Sequence, residues 1–236
     1  MPHKTNQLLD TLPDLARQAI ASRITQIELK QHQIVCDIRE SVTEVHFPVD
    51  AVVSLVVPLA TGEIVETAMT GRDGVLGATA ALNGRISLNR AVVLIGGRSL
   101  HCGLEPFKAV AKEHPAVLSL IGAHEQVLLS QVQQSAACNA THNLENRLAR
   151  WLLRAADLHG GDNLELTQEY LAQMLGVRRT SVTVIAHTLQ QAGMIKYARG
   201  RIQLLDVPAL RDTACECYET VKLNYDAMLH RAKSNE

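Results

Sequence analysis

Arg178, Arg179, Thr180 and Thr183 open a segment of helical spacing. A run this basic and hydroxyl-rich suits hydrogen bonding to base edges and phosphates. Arginine donates two parallel hydrogen bonds to guanine O6 and N7, a contact worth roughly 1 to 3 kcal/mol of discrimination against the wrong base. Arg179 is the residue best placed to make it. Two arginines in the first turn of a helix also face the positive end of its dipole, an unfavourable position that a bound phosphate or guanine reverses.

The elements that position these residues are legible on either side. Thr167 caps a short helix with Tyr170, Leu171, Met174 and Leu175 on one side, and Gly176 ends it. A second helix runs from about Arg178 to Gln191, burying Val182, Ile185 and Leu189, and Gly193 stops it. Two helices joined by a glycine turn form a helix-turn-helix whose second helix enters the major groove, with Arg178, Arg179, Thr180, Thr183 and His187 outward. Ile195 to Tyr197 and Arg201 to Leu205 then pair around Ala198-Arg199-Gly200 as a wing, where Lys196, Arg199 and Arg201 suit the sugar-phosphate backbone. From Leu171 to Leu205 the chain carries these cations and no Asp or Glu, although the whole sequence has a formal net charge of -1. The basic face is therefore local.

Upstream, short β-rich runs are expected at Ile34 to Ile38, Thr43 to Pro48, Ala51 to Pro58, Ile64 to Met69 and Ala91 to Ile95. Thr61-Gly62, Gly71-Arg72-Asp73-Gly74 and Asn83-Gly84 divide them, with glycine expected to supply positive φ. Asn6 to Lys30 has helical spacing through Leu8, Leu9, Leu12, Leu15 and Ile20. From Glu105 the sequence turns helical. A long helix over 115–139 carries apolar residues on more than one face, and Ile121, Leu128 and Val132, continuing to Ser135, approximate a heptad seam for a homodimer. Asn143 caps a further helix to His159 with an apolar stripe of Leu144, Leu148, Trp151, Leu152 and Ala155. Arg147, Arg150 and Arg154 fall on its other faces, either as a solvated surface or as phosphate contacts. The expected class is α+β: a β-roll with its dimerisation helix over residues 1–142, and a winged helix-turn-helix with a C-terminal helix over 143–236.

At 236 residues and 47% hydrophobic the chain is long enough for two cores. Its polar start leads into no signal peptide, and the longest apolar run, Ala51 to Ala60, falls far short of the roughly 20 residues that span a bilayer, so a cytoplasmic protein with no membrane partner is expected. Five scattered cysteines fit reduced thiols. Cys215 and Cys217, read as lying in one helix opened by Asp206 and Pro208, should point to different faces, so no metal site and no cofactor are expected. Five histidines, His32, His46, His101, His114 and His124, remain available to a haem. No Ser-His-Asp or Walker spacing points to catalysis, and a cupin-like metal enzyme lacks its pair of histidines one residue apart. A dimeric scaffold binding protein through its winged domain remains the alternative reading.

The string LTQEYLAQMLGVRRTSVTVIAHTLQQAGMI followed by a short hairpin resembles the winged helix-turn-helix of the cyclic-AMP receptor/FNR (Crp/Fnr) family. The order of roll, long helix and winged domain resembles that family over essentially the whole chain. The resemblance implies a sequence-specific transcription regulator, not an enzyme, with a cyclic-nucleotide-binding-like roll, bound as a homodimer to a palindromic operator in double-stranded DNA and contacting RNA polymerase. Arg179 falls on the family's base-reading arginine, while Thr180 stands where many members carry glutamate and Val184 where some carry a second arginine. In Gly74-Val75-Leu76-Gly77, Val75 replaces the glutamate that binds a ribose hydroxyl, and Asn89 or Arg90 falls at the phosphate arginine. Only Cys36 lies in the first hundred residues, too few for an FNR-like iron-sulfur cluster. The effector is left unknown.

Overall fold

The computed structural model describes residues 5–80, 84 and 86–234, with backbone alone for 232–234. Asn83, half of one expected turn, lies outside the described residues. Two antiparallel sheets form the roll. One has the order β1 (Thr25–Leu29), β7 (Gly97–Gly103), β3 (Glu44–Pro48); the other has β2 (Ile34–Cys36), β6 (Arg90–Ile95), β4 (Val52–Pro58), β5 (Ile64–Thr70). β4 reads as an almost unbroken apolar run because both its faces are covered. Val53 and Leu55 join Ala91 and Val93 inside the roll. Val52 and Val56 belong instead to a core shared with the C-terminal half.

The helical reading of Asn6 to Lys30 holds only in part. A single 3-10 turn, Leu9–Thr11, precedes α1 (Asp14–Ala21), and the chain then turns into β1. The strand wins because Thr25 to Leu29 pairs with Gly97 to His101, a partner far along the chain that local spacing does not reveal. Glycine also acts differently from expectation. Gly62 and Gly77 do take positive φ, but Gly71 and Gly74 do not. They are small because other elements press on them: a Cβ at Gly71 would lie 2.7 Å from Leu158 Cβ, and one at Gly74 would lie 2.6 Å from His124 Nε2. Gly71→Ala should therefore lower the urea midpoint by the equivalent of about 1 to 3 kcal/mol at unchanged slope. An unmoved midpoint would refute the close approach.

α2 (Leu104–Glu113) leads into α3 (Pro115–Thr141), a 27-residue helix lying along the roll. α4 (Leu144–His159) is capped as the sequence requires, with Asn143 Oδ1 accepting from Asn146 N at 2.9 Å and Gly160 left-handed at its end. Its apolar stripe packs both ways. Trp151, Leu152 and Leu158 touch the outer face of the β4/β5/β6 sheet and also the core beneath the C-terminal helices, so one apolar cluster runs through both halves. α7 (Val207–Thr213) and α8 (Cys217–Ser234) close the chain. α8 returns along α3 and inserts Val221, Tyr225 and Met228 into a core with Phe107, Leu120 and Ile121. No described helix is long and apolar enough to cross a membrane.

Candidate nucleic-acid interface

α5 (Gln168–Leu175) starts at Thr167, whose Oγ1 accepts from Tyr170 N at 3.2 Å, and ends at Gly176 with φ +63°. α6 (Arg179–Gln191) follows, with Arg178 at its N-cap and no acidic residue in its first turn. Val182, Ala186 and Leu189 are buried and Ile185 is half-buried, which anchors the back of α6 against α5 and α4. The opposite face exposes Arg178, Arg179, Thr180, Thr183, Val184 and His187. Thr183 Oγ1 donates to Gln168 Oε1 at 2.7 Å, a tie between the two helices that sequence reading did not anticipate.

The wing is a three-stranded sheet in the order β8 (Asn163–Glu165), β10 (Arg201–Leu204), β9 (Ile195–Ala198). β8 was not expected; it is too short for alternation to register. At the tip Arg199 and Gly200 take φ of 50° and 75° in succession, the backbone of a tight two-residue hairpin. Gln190 Oε1 accepts from Tyr197 N at 2.8 Å, and Tyr197 Oη accepts from Gln168 N at 3.3 Å, so the wing is fastened to both helices. Lys196, Arg199 and Arg201 are exposed.

Two carboxylates just outside the acid-free window modify the basic face. Glu169 Oε2 lies 3.7 Å from Arg179 Nε, and Glu165 Oε1 lies 3.0 Å from Arg201 Nη2. All four side chains are mostly exposed, so each pair contributes little to stability and opens readily.

The arginines of α4 are neither a solvated face nor phosphate contacts. Arg150 and Arg154 are only 8% and 5% exposed, and Arg147 Nη2 donates to the Leu175 carbonyl at 2.6 Å, holding the end of α5. Arg154 Nη1 meets Asp73 Oδ2 at 2.7 Å and its guanidinium lies 4.3 Å from the centre of the Tyr225 ring. The Tyr225 hydroxyl is bonded to the Gln131 amide at 2.9 Å. Nearby, Trp151 Nε1 donates to Glu66 Oε1 at 2.8 Å and Ser54 Oγ donates to the other carboxyl oxygen. Burial pushes the Glu66 carboxyl up to about 7. These residues face the roll rather than water because α4 is buried on more than its apolar stripe.

The seam residues of α3 are engaged within the chain. Ile121 is 3% exposed in the chain's own core, and Leu128 and Val132 pack against the inside of the roll. Leu118 and Leu129 are the large apolar side chains that α3 leaves exposed, on the side that also carries Gly122. Between the roll and α3 lies a cavity of about 630 Å³ lined by Val75, Gly77, Asn89, Glu125 and Leu128 among others. No Arg or Lys is among its described lining residues. Arg90 is tied by Nε and Nη2 to Asp37 at 2.7 and 2.9 Å, so it offers no free guanidinium to a phosphate.

Of the histidines, His124 is buried with Nε2 facing Val75 N, and His32 lies edge-on to Tyr170. His46 and His101, far apart in sequence, stack across β3 and β7 at 5.8 Å, with Glu44 beside both. The cysteines overturn an expectation. α7 ends at Thr213, so Cys215 lies in the turn before α8 and Cys217 is the first residue of that helix. Instead of diverging they converge on Cys138 and His142, with all four potential ligand atoms within 4.8 Å of one another. Cys138 and His142 are one helical turn apart in the sequence, but their meeting with Cys215 and Cys217, like the burial of the arginines, left no signal in local spacing.

Residues 146–213 match the family model described as the Crp-like helix-turn-helix domain. Over 106 residues the chain is 30% identical to the transcriptional regulator SdrP of Thermus thermophilus, a stretch covering 42% of this chain and 52% of that protein. The chain thus spans about half the length of this curated relative. Among solved structures, FixK2 from Bradyrhizobium japonicum superposes with a TM-score of 0.68 at 16% identity, over 81% of this chain and 98% of its own. A CRP-family transcriptional regulator from Thermus thermophilus gives 0.66 at 23% identity, over 80% and 96%. A Crp/Fnr-family regulator from Eubacterium rectale gives 0.65 at 18% identity, over 87% and 96%. At these identities the likeness is one of fold.

Proposed function

We propose that this chain, which matches the Crp-like helix-turn-helix domain at residues 146–213, is a Crp/Fnr-type transcription regulator that binds a palindromic promoter site as a homodimer. The observation that carries the reading is the exposed end of α6, where Arg178, Arg179, Thr180 and Thr183 stand on a helix whose other side is packed into the core. In this reading Arg179 bonds guanine in the major groove, while Thr167, Lys196, Arg199 and Arg201 hold phosphates on either side. On this reading α3 makes the dimer contact, through the half-buried Leu128 and Val132 of the expected seam and the exposed Leu118 and Leu129 beside it, while Ile121 stays in the chain's own core. A twofold dimer requires paired half-sites about one helical turn apart. RNA polymerase is the partner expected of such a regulator. The absence of an acidic or apolar surface on the start of α6 favours DNA over a protein partner.

Selection from a random duplex pool by the purified protein should enrich a twofold-symmetric site, and Arg179→Ala should lose preference at one base pair of each half-site, by roughly 1 to 3 kcal/mol. Arg201→Ala should instead weaken all duplexes alike and lower the salt slope by about 1. Two variants that behave identically across sequences would overturn the division of roles.

A further inference from the structure

We propose that Cys138, His142, Cys215 and Cys217 form a tetrahedral site for a single divalent cation of the zinc class, joining the end of α3 to the turn between α7 and α8. Cys138 and His142 are four residues apart at the end of α3, so the helix turns both to one side. Cys215 Sγ lies 3.5 Å from Cys138 Sγ, and Cys217 Sγ lies 3.5 Å from His142 Nδ1. With metal–sulfur bonds near 2.3 Å, tetrahedral ligands sit about 3.8 Å apart, close to these separations. A single small adjustment of side chains would complete the tetrahedron. An iron-sulfur cluster, which places several iron and sulfide ions between its thiolates, needs a wider cage.

The surroundings fit a metal better than they fit a group of idle thiols. Glu216 Oε1 lies 3.2 Å from His142 Nε2, so the carboxylate accepts a hydrogen bond from Nε2–H and leaves the Nδ1 lone pair facing the sulfurs. That carboxylate–histidine arrangement is the usual support of a zinc-bound imidazole. Gln134 Nε2 donates to Cys217 Sγ at 3.1 Å, as amides do to metal-bound thiolates. Three thiolates and one divalent cation carry a net charge of -1, and the Arg150 guanidinium, buried beside Cys138 with an unpartnered Nε, supplies a compensating charge. A disulfide between Cys138 and Cys215 would use two of the four groups and leave the placement of His142, Glu216 and Cys217 without a reason. On binding, each thiol releases its proton to solvent. Because the ligands come from either side of residues 143–213, the cation would clasp the winged domain at the points where the chain enters and leaves it.

The test uses the full chain, purified with reductant, stripped by a chelator and reloaded with Zn²⁺ or Co²⁺. About one equivalent of zinc should remain bound after desalting, and the cobalt form should show thiolate-to-metal charge transfer with the strong visible bands of tetrahedral cobalt. Cys217→Ser should lose the charge-transfer intensity of one thiolate. Glu216→Gln, a change at an exposed side chain that leaves the fold intact, should weaken zinc 10- to 100-fold. Metal retained at far below one equivalent, a cobalt spectrum of six-coordinate type, or zinc affinity unchanged in Glu216→Gln would overturn the site. None of these readouts involves DNA, so they stand or fall apart from the proposed function.

Discussion

Arg154→Ala should destabilise the protein by about 3 to 5 kcal/mol, because it leaves Asp73 buried with no counter-charge. Arg154 touches three separate parts of the chain: it pairs with Asp73 in the loop after β5, lies over the Tyr225 ring of α8, and stands on α4 itself. Its removal therefore loosens the roll, the C-terminal helix and the winged domain together. The cost belongs to the unpaired partner rather than to the attraction between the two. The double variant Asp73→Asn/Arg154→Met should accordingly lose much less than the sum of its single changes, and urea unfolding of the four proteins measures the coupling. Additive losses would mean that Asp73 and Arg154 do not act as a pair.

Stability should also fall as pH rises between about 5 and 7, and Glu66 is the group responsible. Its carboxyl, near 4.5 in the unfolded chain, is pushed up to about 7 in the fold by burial beneath Trp151. Through that interval the folded state holds a proton that the unfolded state has already lost. The contribution is complete below 4.5 and is gone above about 7, a change of roughly 3 kcal/mol. Glu66→Gln keeps both hydrogen bonds, since its oxygen can accept from Trp151 Nε1 and its amide can donate to Ser54 Oγ. The variant should match the wild type near pH 4.5 and exceed it at pH 8. Thermal unfolding across this range, taken as the difference between the two proteins, removes the contributions of the histidines. A difference that does not change with pH would refute the assignment.

These two sites mark where sequence reading stopped. Helix ends were legible because they are written in neighbouring residues: Asn143, Thr167, Gly176 and Gly193 each cap or stop the helix that their position implies. The exposed residues of α6 followed from the same local logic. Arg150 and Arg154 were misread because amphipathic spacing assigns charge to the solvent, whereas α4 is enclosed by the roll, the winged core and α8. β1 escaped because Thr25 to Leu29 continues a helical spacing and becomes a strand only through pairing with β7. The cysteines escaped because the end of α7 at Thr213 is what frees Cys215 to turn back, and because Cys138 and His142, one helical turn apart, meet Cys215 and Cys217 only in three dimensions. Ile121 illustrates the same limit, since one long helix can offer several apolar seams and packing decides which stays outside.

Glu165 and Glu169 give the free chain an internal occupant for the arginines that the proposed function assigns to DNA. On the proposed reading a duplex displaces Glu165 before Arg201 holds a phosphate, a cost small for so exposed a pair and shared by a cognate operator and a random sequence. It lowers the occupancy of random DNA without narrowing the gap between right and wrong sites. On that reading Glu165 would shorten the dwell on each wrong stretch and so act on the speed of search, while Glu169, facing the base-reading Arg179, would act on the choice of target.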